Sequence, residues 1–123
     1  MTTVLVIEDN ELNRDVLGRR LRKRGYEVLE AEDAEVGLAL AKDRRPGVIL
    51  MDLELPGVDG YQATATLKKD PTTAAIPVIA LTAHAIGEYR ERALAAGCDD
   101  FHAKPFELPR LLAQIEALVG AAP

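Results

Sequence analysis

The sequence is poor in the residues on which several classes of protein depend. Its 123 residues include one cysteine, two histidines and no tryptophan. A single cysteine excludes an intrachain disulfide and fits a reducing cytosol, and Cys98, which follows Gly97 beside an apolar stretch, is expected to pack in the core. The isolated histidines His84 and His102 do not supply the His/Cys set that a zinc site needs.

Long apolar runs and an excess of positive charge are also missing. No run approaches the ~20 residues that span a bilayer, and no signal peptide is visible after Met1. The net charge is −5, whereas a nucleic-acid binder usually has a basic face. The basic residues between Arg19 and Arg24 end a predicted helix, where cations suit the helix dipole, and a binding patch is the alternative interpretation. We therefore expect a cytoplasmic protein with no membrane insertion and no direct nucleic-acid binding.

The sequence does contain a short run that is typical of a central parallel strand. Val48–Met51 is apolar throughout, with no polar partner alternating, so both faces of this strand should be covered. The run ends on Asp52, and Pro56–Gly57 lies in the loop that follows. Ligand sites of open α/β sheets lie at the carboxyl ends of strands, so Asp52 is a candidate reactive group; a carboxylate that only caps the loop is the alternative.

Strand-like and helix-like patterns alternate along the whole chain. Five such units with short connections predict an open parallel sheet with helices on both faces, forming a single domain over residues 1–120 with a short tail at 121–123. The predicted strands are Val4–Ile7, Tyr26–Ala31, Val48–Met51, Ile76–Leu81 and Asp100–Ala103. The apolar stripes of the predicted helices include Leu12, Val16, Leu17 and Leu21, then Ala34, Leu38 and Ala41, then Ala63 and Leu67, then Ala93 and Leu94, and last Leu108, Leu111, Leu112, Ile115, Leu118 and Val119.

Polar residues collect where these strands end. The carboxyl ends deliver in turn Glu8, Asp9, Asp52, Thr82 and Lys104. Carboxylates crowded at one edge raise one another's pKa unless a cation joins them, and hard oxygen ligands suit Mg²⁺. A carboxylate beside Mg²⁺ can attack phosphorus, and the transferring group then needs cationic and hydroxyl partners. Neither a P-loop nor a GxGxxG turn nor an EF-hand loop is present, which disfavours a nucleotide or calcium site.

With these residues in view, the chain resembles the receiver domains of two-component response regulators over essentially its whole length. The chain looks most like the receivers of hybrid histidine kinases and DivK-type single-domain regulators in two segments, Glu8–Asn13 and Ile79–Ala85, the second of which includes His84. The segments that carry the resemblance are Val6–Asn10, Met51–Gly60, Ala80–Ala83 and Ala103–Pro105.

The resemblance implies a fold and a set of roles. The fold is flavodoxin-like, (βα)5, with five parallel strands in the order 2-1-3-4-5. Asp52 matches the phosphoacceptor, and Asp9 and Asp52 match the side-chain ligands of Mg²⁺. The backbone carbonyl of Glu54 matches a third ligand, and Glu8 matches the acidic residue that holds metal-bound water.

Further roles are implied for residues around this centre. Thr82 and Lys104 match the hydroxyl and ammonium that bind the phosphoryl group, and Phe101 matches the switch aromatic that follows Thr82 inward. Glu54 and His84 match positions that tune dephosphorylation. Lys104–Pro105 matches a bond that is often cis in the family.

The function expected from the resemblance is a single-domain response regulator. It accepts a phosphoryl group on Asp52 from a histidine kinase or histidine phosphotransfer protein, with Mg²⁺, and signals by binding a partner through the fourth helix, fifth strand and fifth helix, about Ile86 to Val119. We expect a monomer or weak dimer, and a switch rather than an enzyme, with weak self-phosphorylation and autodephosphorylation. A Mg²⁺-dependent phosphohydrolase and a flavin-binding module are the alternatives, and an acidic edge is a poor host for a flavin phosphate. Whether the chain works alone or was cut from a larger protein stays open at this point.

Overall fold

The computed structural model describes residues 2–83 and 87–119, in which five strands and five helices alternate. The predicted tuning residue His84, the Ile86 limit of the predicted partner surface and the tail at 121–123 lie outside these residues. The strands are β1 (Thr3–Ile7), β2 (Glu27–Ala31), β3 (Val48–Asp52), β4 (Val78–Thr82) and β5 (Asp100–Ala103). The helices are α1 (Glu11–Lys23), α2 (Ala34–Arg44), α3 (Gly60–Lys69), α4 (Glu88–Ala96) and α5 (Leu108–Val119).

All five strands are parallel and form one sheet in the order β2-β1-β3-β4-β5, which confirms the predicted flavodoxin-like fold. The pairing register aligns the carboxyl ends of the strands. Met51 pairs with Ile7, and Asp52, the next residue, pairs with Leu81. Thr82 in turn pairs with Ala103, so the residues that follow β1, β3, β4 and β5 meet at one edge.

Two apolar cores lie on opposite faces of this sheet. Alternate residues of β1 enter different cores, because successive side chains of a strand point to opposite faces. Leu5 and Ile7 belong to the core shared with α2, α3 and α4, while Val4 and Val6 belong to the core shared with α1 and α5. Cys98 is buried in the first core, as predicted.

Three helices begin with a side-chain cap close behind a strand end. Each cap residue has extended backbone angles, and its side-chain oxygen accepts a hydrogen bond from the backbone N–H three residues later, which satisfies one of the free donors of the first turn. These caps place α1 directly after Asp9 and α3 soon after Glu54. The pairs are Asn10 with Asn13, Asp33 with Val36, and Asp59 with Gln62, each at 2.9 Å.

Some predicted boundaries and two residues of the predicted apolar stripes are wrong. The fourth strand begins at Val78 and not at Ile76, because the Ile76 N–H closes a turn onto the carbonyl of Thr73 at 3.0 Å. Tyr26 precedes β2 instead of opening it, although its ring is buried. Leu12 is 68% exposed on α1 and Leu94 is 48% exposed on α4, so the helical stripes that include them do not lie wholly inward.

Lys68, near the end of α3, joins this helix to the loop before β4 and to Asp99, which precedes β5. Its Nζ donates to the carbonyl of Ile76 at 2.8 Å, to the carbonyl of Ala74 at 3.3 Å and to Oδ2 of Asp99 at 3.0 Å. The same Asp99 oxygen accepts the Val78 N–H at 2.8 Å, at the first residue of β4. The ammonium therefore fixes where β4 begins relative to α3.

We expect Lys68→Met to lower the free energy of unfolding by about 2 kcal/mol, because two carbonyls and one carboxylate lose a charged donor in a part-buried place. Urea unfolding followed by far-UV circular dichroism measures the change. Lys69→Met, at the exposed neighbouring position, is the matched control and should change stability by less than about 0.5 kcal/mol. Equal losses in the two variants would contradict the structural role of Lys68.

Within residues 2–83 and 87–119, no helix combines the length and the apolar character that crossing a membrane requires.

Candidate functional site

Three carboxylates meet at the carboxyl edge of the sheet. Glu8 and Asp9 follow β1, and Asp52 is the last residue of β3, the neighbouring strand. One carboxylate oxygen from each lies within 4.8 Å of those of the other two. Glu8 and Asp52 are each 1% exposed, whereas Asp9 is open to solvent. The structure thus brings together the three acidic residues on which the predicted metal site depends.

Lys104, directly after β5, reaches the same cluster from the other side. Its Nζ lies 3.2 Å from Oδ1 of Asp52 and 3.5 Å from Oε2 of Glu8. Its backbone N–H donates to the carbonyl of Thr82 at 2.8 Å, and the Lys104–Pro105 peptide bond is cis. The predicted acceptor and the predicted ammonium are therefore in direct contact.

The protonation of Asp52 reflects its crowded, buried place. Burial is the main cause that raises its pKa from 3.8 to about 6, and the adjacent Glu8 carboxyl adds to the rise. The Glu54 N–H, which donates to Oδ1 of Asp52 at 2.9 Å, and the Lys104 ammonium act in the opposite direction. Burial alone would lower the pKa of Lys104, but the charges of Asp52 and Glu8 outweigh it and raise that pKa.

The cluster fits a hard divalent cation. It supplies carboxylate oxygens only, it contains a buried pair of acids that repel each other, and Oε2 of Glu8 accepts no hydrogen bond from the described residues. Mg²⁺ is usually bound by one or two carboxylates together with water and phosphoryl oxygens. The donor set at this edge is consistent with that preference.

Two side chains of α1 hold Glu8, and residue-by-residue reasoning on the sequence missed them. Nη1 of Arg14 donates to the Glu8 carbonyl at 2.7 Å, and Nδ2 of Asn13 donates to Oε1 of Glu8 at 3.4 Å. Arg14 also lies 3.8 Å from Glu30 of β2. The spacing of Glu8 and Asn13 in the sequence could have revealed this contact, because the first turn of α1 brings the Asn13 side-chain amide close to the Glu8 carboxylate.

Thr82, the last residue of β4, is bound to the side chain of Glu54. Its Oγ1 donates to Oε2 of Glu54 at 2.8 Å, and the N–H of Ala83 donates to Oε1 at 2.8 Å. The family resemblance implies that the backbone carbonyl of Glu54 is a metal ligand and that Glu54 tunes dephosphorylation. It does not predict that the Glu54 carboxylate accepts hydrogen bonds from these two donors. Thr82 itself is buried at the edge that carries Asp52.

Phe101, the predicted switch aromatic, is half-buried on β5. The guanidinium carbon of Arg90, on α4, lies 4.7 Å from the centre of its ring, a cation–π distance. The ring therefore bridges β5 and α4, two of the three elements of the predicted partner surface.

His102 is a structural residue between β5 and α5. Both ring nitrogens are engaged, since Nε2 accepts the Glu107 N–H at 3.1 Å and Nδ1 lies 2.7 Å from Oε1 of Gln114. Because Nε2 is the acceptor in the first contact, Nδ1 carries the hydrogen and donates a hydrogen bond to Oε1 of Gln114. Gln114 also donates to the carbonyl of Phe101 at 2.8 Å. Both ring nitrogens are therefore used in contacts within the chain.

The strand order and the acid and lysine side chains at one edge are the features that the resemblance to receiver domains predicted. Comparison with known families confirms that resemblance, because residues 4–116 match the response regulator receiver domain. The chain belongs to this family, whose members are signalling switches of two-component systems.

Individual relatives agree over almost the full chain. The polar-differentiation response regulator DivK of Brucella anthropi is 38% identical over 120 residues, which is 98% of each chain, and that of Brucella ovis gives the same values. Among solved structures, the receiver domain of sensor histidine kinase PA1611 from Pseudomonas aeruginosa, with a magnesium ion coordinated in its active-site cleft, has a TM-score of 0.90 at 37% identity over 98% of both chains. The chemotaxis protein CheY4 of Vibrio cholerae has a TM-score of 0.91 at 27% identity, over 96% of this chain and 98% of its own.

Proposed function

We propose that this chain is a phosphorylation-dependent switch in a two-component phosphorelay, with Asp52 as the phosphoacceptor. The observation that carries the proposal is the contact of a buried Asp52 carboxylate with the Lys104 ammonium, inside a group of three acids that suits Mg²⁺. The donor is a phosphohistidine of a histidine kinase or of a histidine phosphotransfer protein. The likeness to DivK and to a receiver of a sensor histidine kinase supports this choice of donor.

In the proposed transfer, a carboxylate oxygen of Asp52 forms a P–O bond while the P–N bond of the phosphohistidine breaks. The imidazole nitrogen keeps the electron pair of the broken bond. With a pKa of about 6, Asp52 is ionised at pH 7 and can act as the nucleophile. Lys104, 3.2 Å from Oδ1, remains beside the reaction centre and offsets charge on the transferred phosphoryl oxygens.

Asp9, Asp52 and the carbonyl of Glu54 would hold Mg²⁺, with Glu8 orienting its water. When bound, the ion supplies positive charge that relieves the repulsion of the acids and stabilises the phosphoryl oxygens. The magnesium ion in the active-site cleft of the Pseudomonas aeruginosa receiver domain supports this assignment.

The proposed output is a change of surface on phosphorylation. Thr82 would bind a phosphoryl oxygen through its hydroxyl, and Phe101 would turn inward with it. Arg90 stacks on Phe101, so this movement would alter α4 together with β5 and α5, to which a downstream protein partner binds. Glu54 and His84 would tune the lifetime of the phosphorylated form, and self-phosphorylation and autodephosphorylation would be slow. We place the protein in the cytoplasm, as a monomer or weak dimer.

The proposal is tested with acetyl phosphate as a small phosphodonor. We expect uptake of one phosphoryl group per chain with Mg²⁺ and none with excess EDTA. Borohydride reduction followed by peptide mass spectrometry should place the modification on Asp52. A label on another residue, or uptake that EDTA does not affect, would overturn the assignment. Rapid multiple turnover of p-nitrophenyl phosphate would favour a phosphohydrolase instead.

A further inference from the structure

We infer that the Glu54 carboxylate competes with an incoming phosphoryl group for two hydrogen-bond donors, the Thr82 hydroxyl and the Ala83 N–H. The inference rests on the proposed function of Asp52. Each oxygen of Glu54 accepts one of these donors at 2.8 Å in the unphosphorylated chain. Glu54 is then a positioning residue, which sets how readily the site accepts a phosphoryl group.

The two donors lie beside Asp52 because of the strand pairing. Asp52 pairs with Leu81, and the Leu53 N–H donates to the Leu81 carbonyl at 2.9 Å. Thr82, the last residue of β4, and Ala83, which follows it, therefore lie next to the end of β3. A phosphoryl group on Asp52 carries three equatorial oxygens that need donors on several sides. Lys104 reaches Asp52 from the end of β5, and the Thr82 hydroxyl and the Ala83 N–H lie at the end of β4, the strand between β3 and β5.

In the unphosphorylated chain, the Glu54 carboxylate already accepts a hydrogen bond from each of these two donors. A carboxylate and a phosphoryl group are both anions with several acceptor oxygens, so a donor pair that suits one also suits the other. As long as Glu54 stays in place, Thr82 and Ala83 are engaged, and the negative charge of Glu54 repels the phosphoryl group. Both effects oppose phosphorylation.

Glu54 can leave without disturbing the centre. Because Glu54 is exposed, its side chain can turn toward solvent without burying its charge. Its backbone is tied to Asp52 independently, through the N–H that donates to Oδ1 at 2.9 Å. A substitution of the side chain therefore keeps this backbone contact, which makes the competition measurable by mutation.

The test uses beryllofluoride, formed from BeCl2 and NaF with Mg²⁺, as a probe of the phosphoryl site, with affinity measured by calorimetry. We expect Glu54→Ala to bind the probe about three- to tenfold more tightly than the natural chain, the range for losing a competing charged hydrogen bond at an exposed site. Glu11→Gln is the charge control. It removes one exposed carboxylate two residues after Asp9, whereas the hydrogen bonds from the Thr82 hydroxyl and the Ala83 N–H described above run to Glu54. It should change the affinity less than about twofold.

A second measurement separates hydrogen bonding from a general field effect. Amide hydrogen exchange at Ala83, without probe, should be faster in Glu54→Ala than in the natural chain, because its acceptor is gone. It should be unchanged in Glu11→Gln. A double-mutant cycle with Thr82→Ala should shrink the gain from Glu54→Ala, since one of the two contested donors is then missing.

The outcomes distinguish this inference from the proposed function. If the natural chain fails to bind beryllofluoride with Mg²⁺, or binds it equally well after Asp52→Asn, the proposed function itself is wrong. If the natural chain binds the probe and Glu54→Ala binds it no more tightly, or gains no more than Glu11→Gln, the competition is overturned and the function of Asp52 stands.

Discussion

An Asp52→Asn variant is expected to take up no phosphoryl group and, in the metal-free protein at pH 7, to unfold less readily than the natural chain. The amide is no nucleophile toward phosphorus, so transfer from acetyl phosphate or from a kinase should fall to background. The stabilisation has an electrostatic cause. Asp52 is 1% exposed and lies against Glu8, and its negative charge is therefore less favourable in the folded chain than in the unfolded one.

The dependence of this stabilisation on pH follows from the raised pKa. The pKa of Asp52 is about 6 in the folded chain against 3.8 without these surroundings, so between these two pH values the folded state retains a proton that the unfolded state has released. Its contribution to stability is fully present below pH 4 and is lost as the pH rises through 6. At pH 7 we expect Asp52→Asn to raise the free energy of unfolding by about 1 to 2 kcal/mol.

Urea unfolding in EDTA at pH 4 and at pH 7 measures both parts of this expectation. The gain should be present at pH 7 and close to zero at pH 4. Asp43→Asn, an exposed carboxylate on α2, is the control and should shift stability by less than about 0.5 kcal/mol at either pH. An equal gain at the two pH values would contradict the electrostatic origin of the stabilisation. Labelling of the Asn variant at the natural rate would contradict Asp52 as the phosphoacceptor.

Gly60→Ala is expected to lower the free energy of unfolding by about 3 kcal/mol, the upper range for overpacking a buried site. Gly60 is the first residue of α3 and packs against the end of β3, and its N–H donates to the Leu53 carbonyl at 3.3 Å. A Cβ added there would lie 2.6 Å from the Cα of Leu53 and closer still to the carbonyl oxygen of Asp52. Because both neighbours are backbone atoms, neither can rotate away, and relief requires α3 to separate from the strand that carries the acceptor.

The same separation should reduce phosphoryl uptake at temperatures where the variant is still folded. Gly18→Ala, within α1, is the matched control. Its added Cβ would lie 3.1 to 3.3 Å from the ends of Glu30 and Arg22, which are flexible side chains. Alanine is also favoured over glycine inside a helix, so this variant should lose less than about 1 kcal/mol. Thermal and urea unfolding compare the two, and similar losses would contradict the close approach at Gly60.

Much of the fold could be predicted from the sequence because its strands are buried on both faces. Runs such as Val4–Ile7 and Val48–Met51 have no polar alternation, and short connections with alternating helices leave few arrangements other than a parallel sheet. The convergence of Asp9, Asp52 and Lys104 then follows from geometry, since the carboxyl ends of parallel strands share one edge. The strand order itself came from the family resemblance.

The contacts made by long side chains could not be predicted in this way. Glu54 meets Thr82 across 28 residues of sequence, and Lys68 meets Asp99 across 31. Such pairs depend on how a loop or a helix end is placed to within a few ångströms, which periodicity does not specify. Leu12 shows the converse error, because an apolar residue at helical spacing can still face solvent in the first turn.

The sheet between the two apolar cores separates the two layers of helices from each other. Residues of α1 and α5 share one core and residues of α2, α3 and α4 share the other, and in the part of the chain that the structure describes only strands contribute to both. Substitutions that reshape the outer surface of one layer can therefore accumulate without disturbing the opposite layer or the strand ends. A lineage of such proteins can acquire new partners while its reactive centre is inherited unchanged.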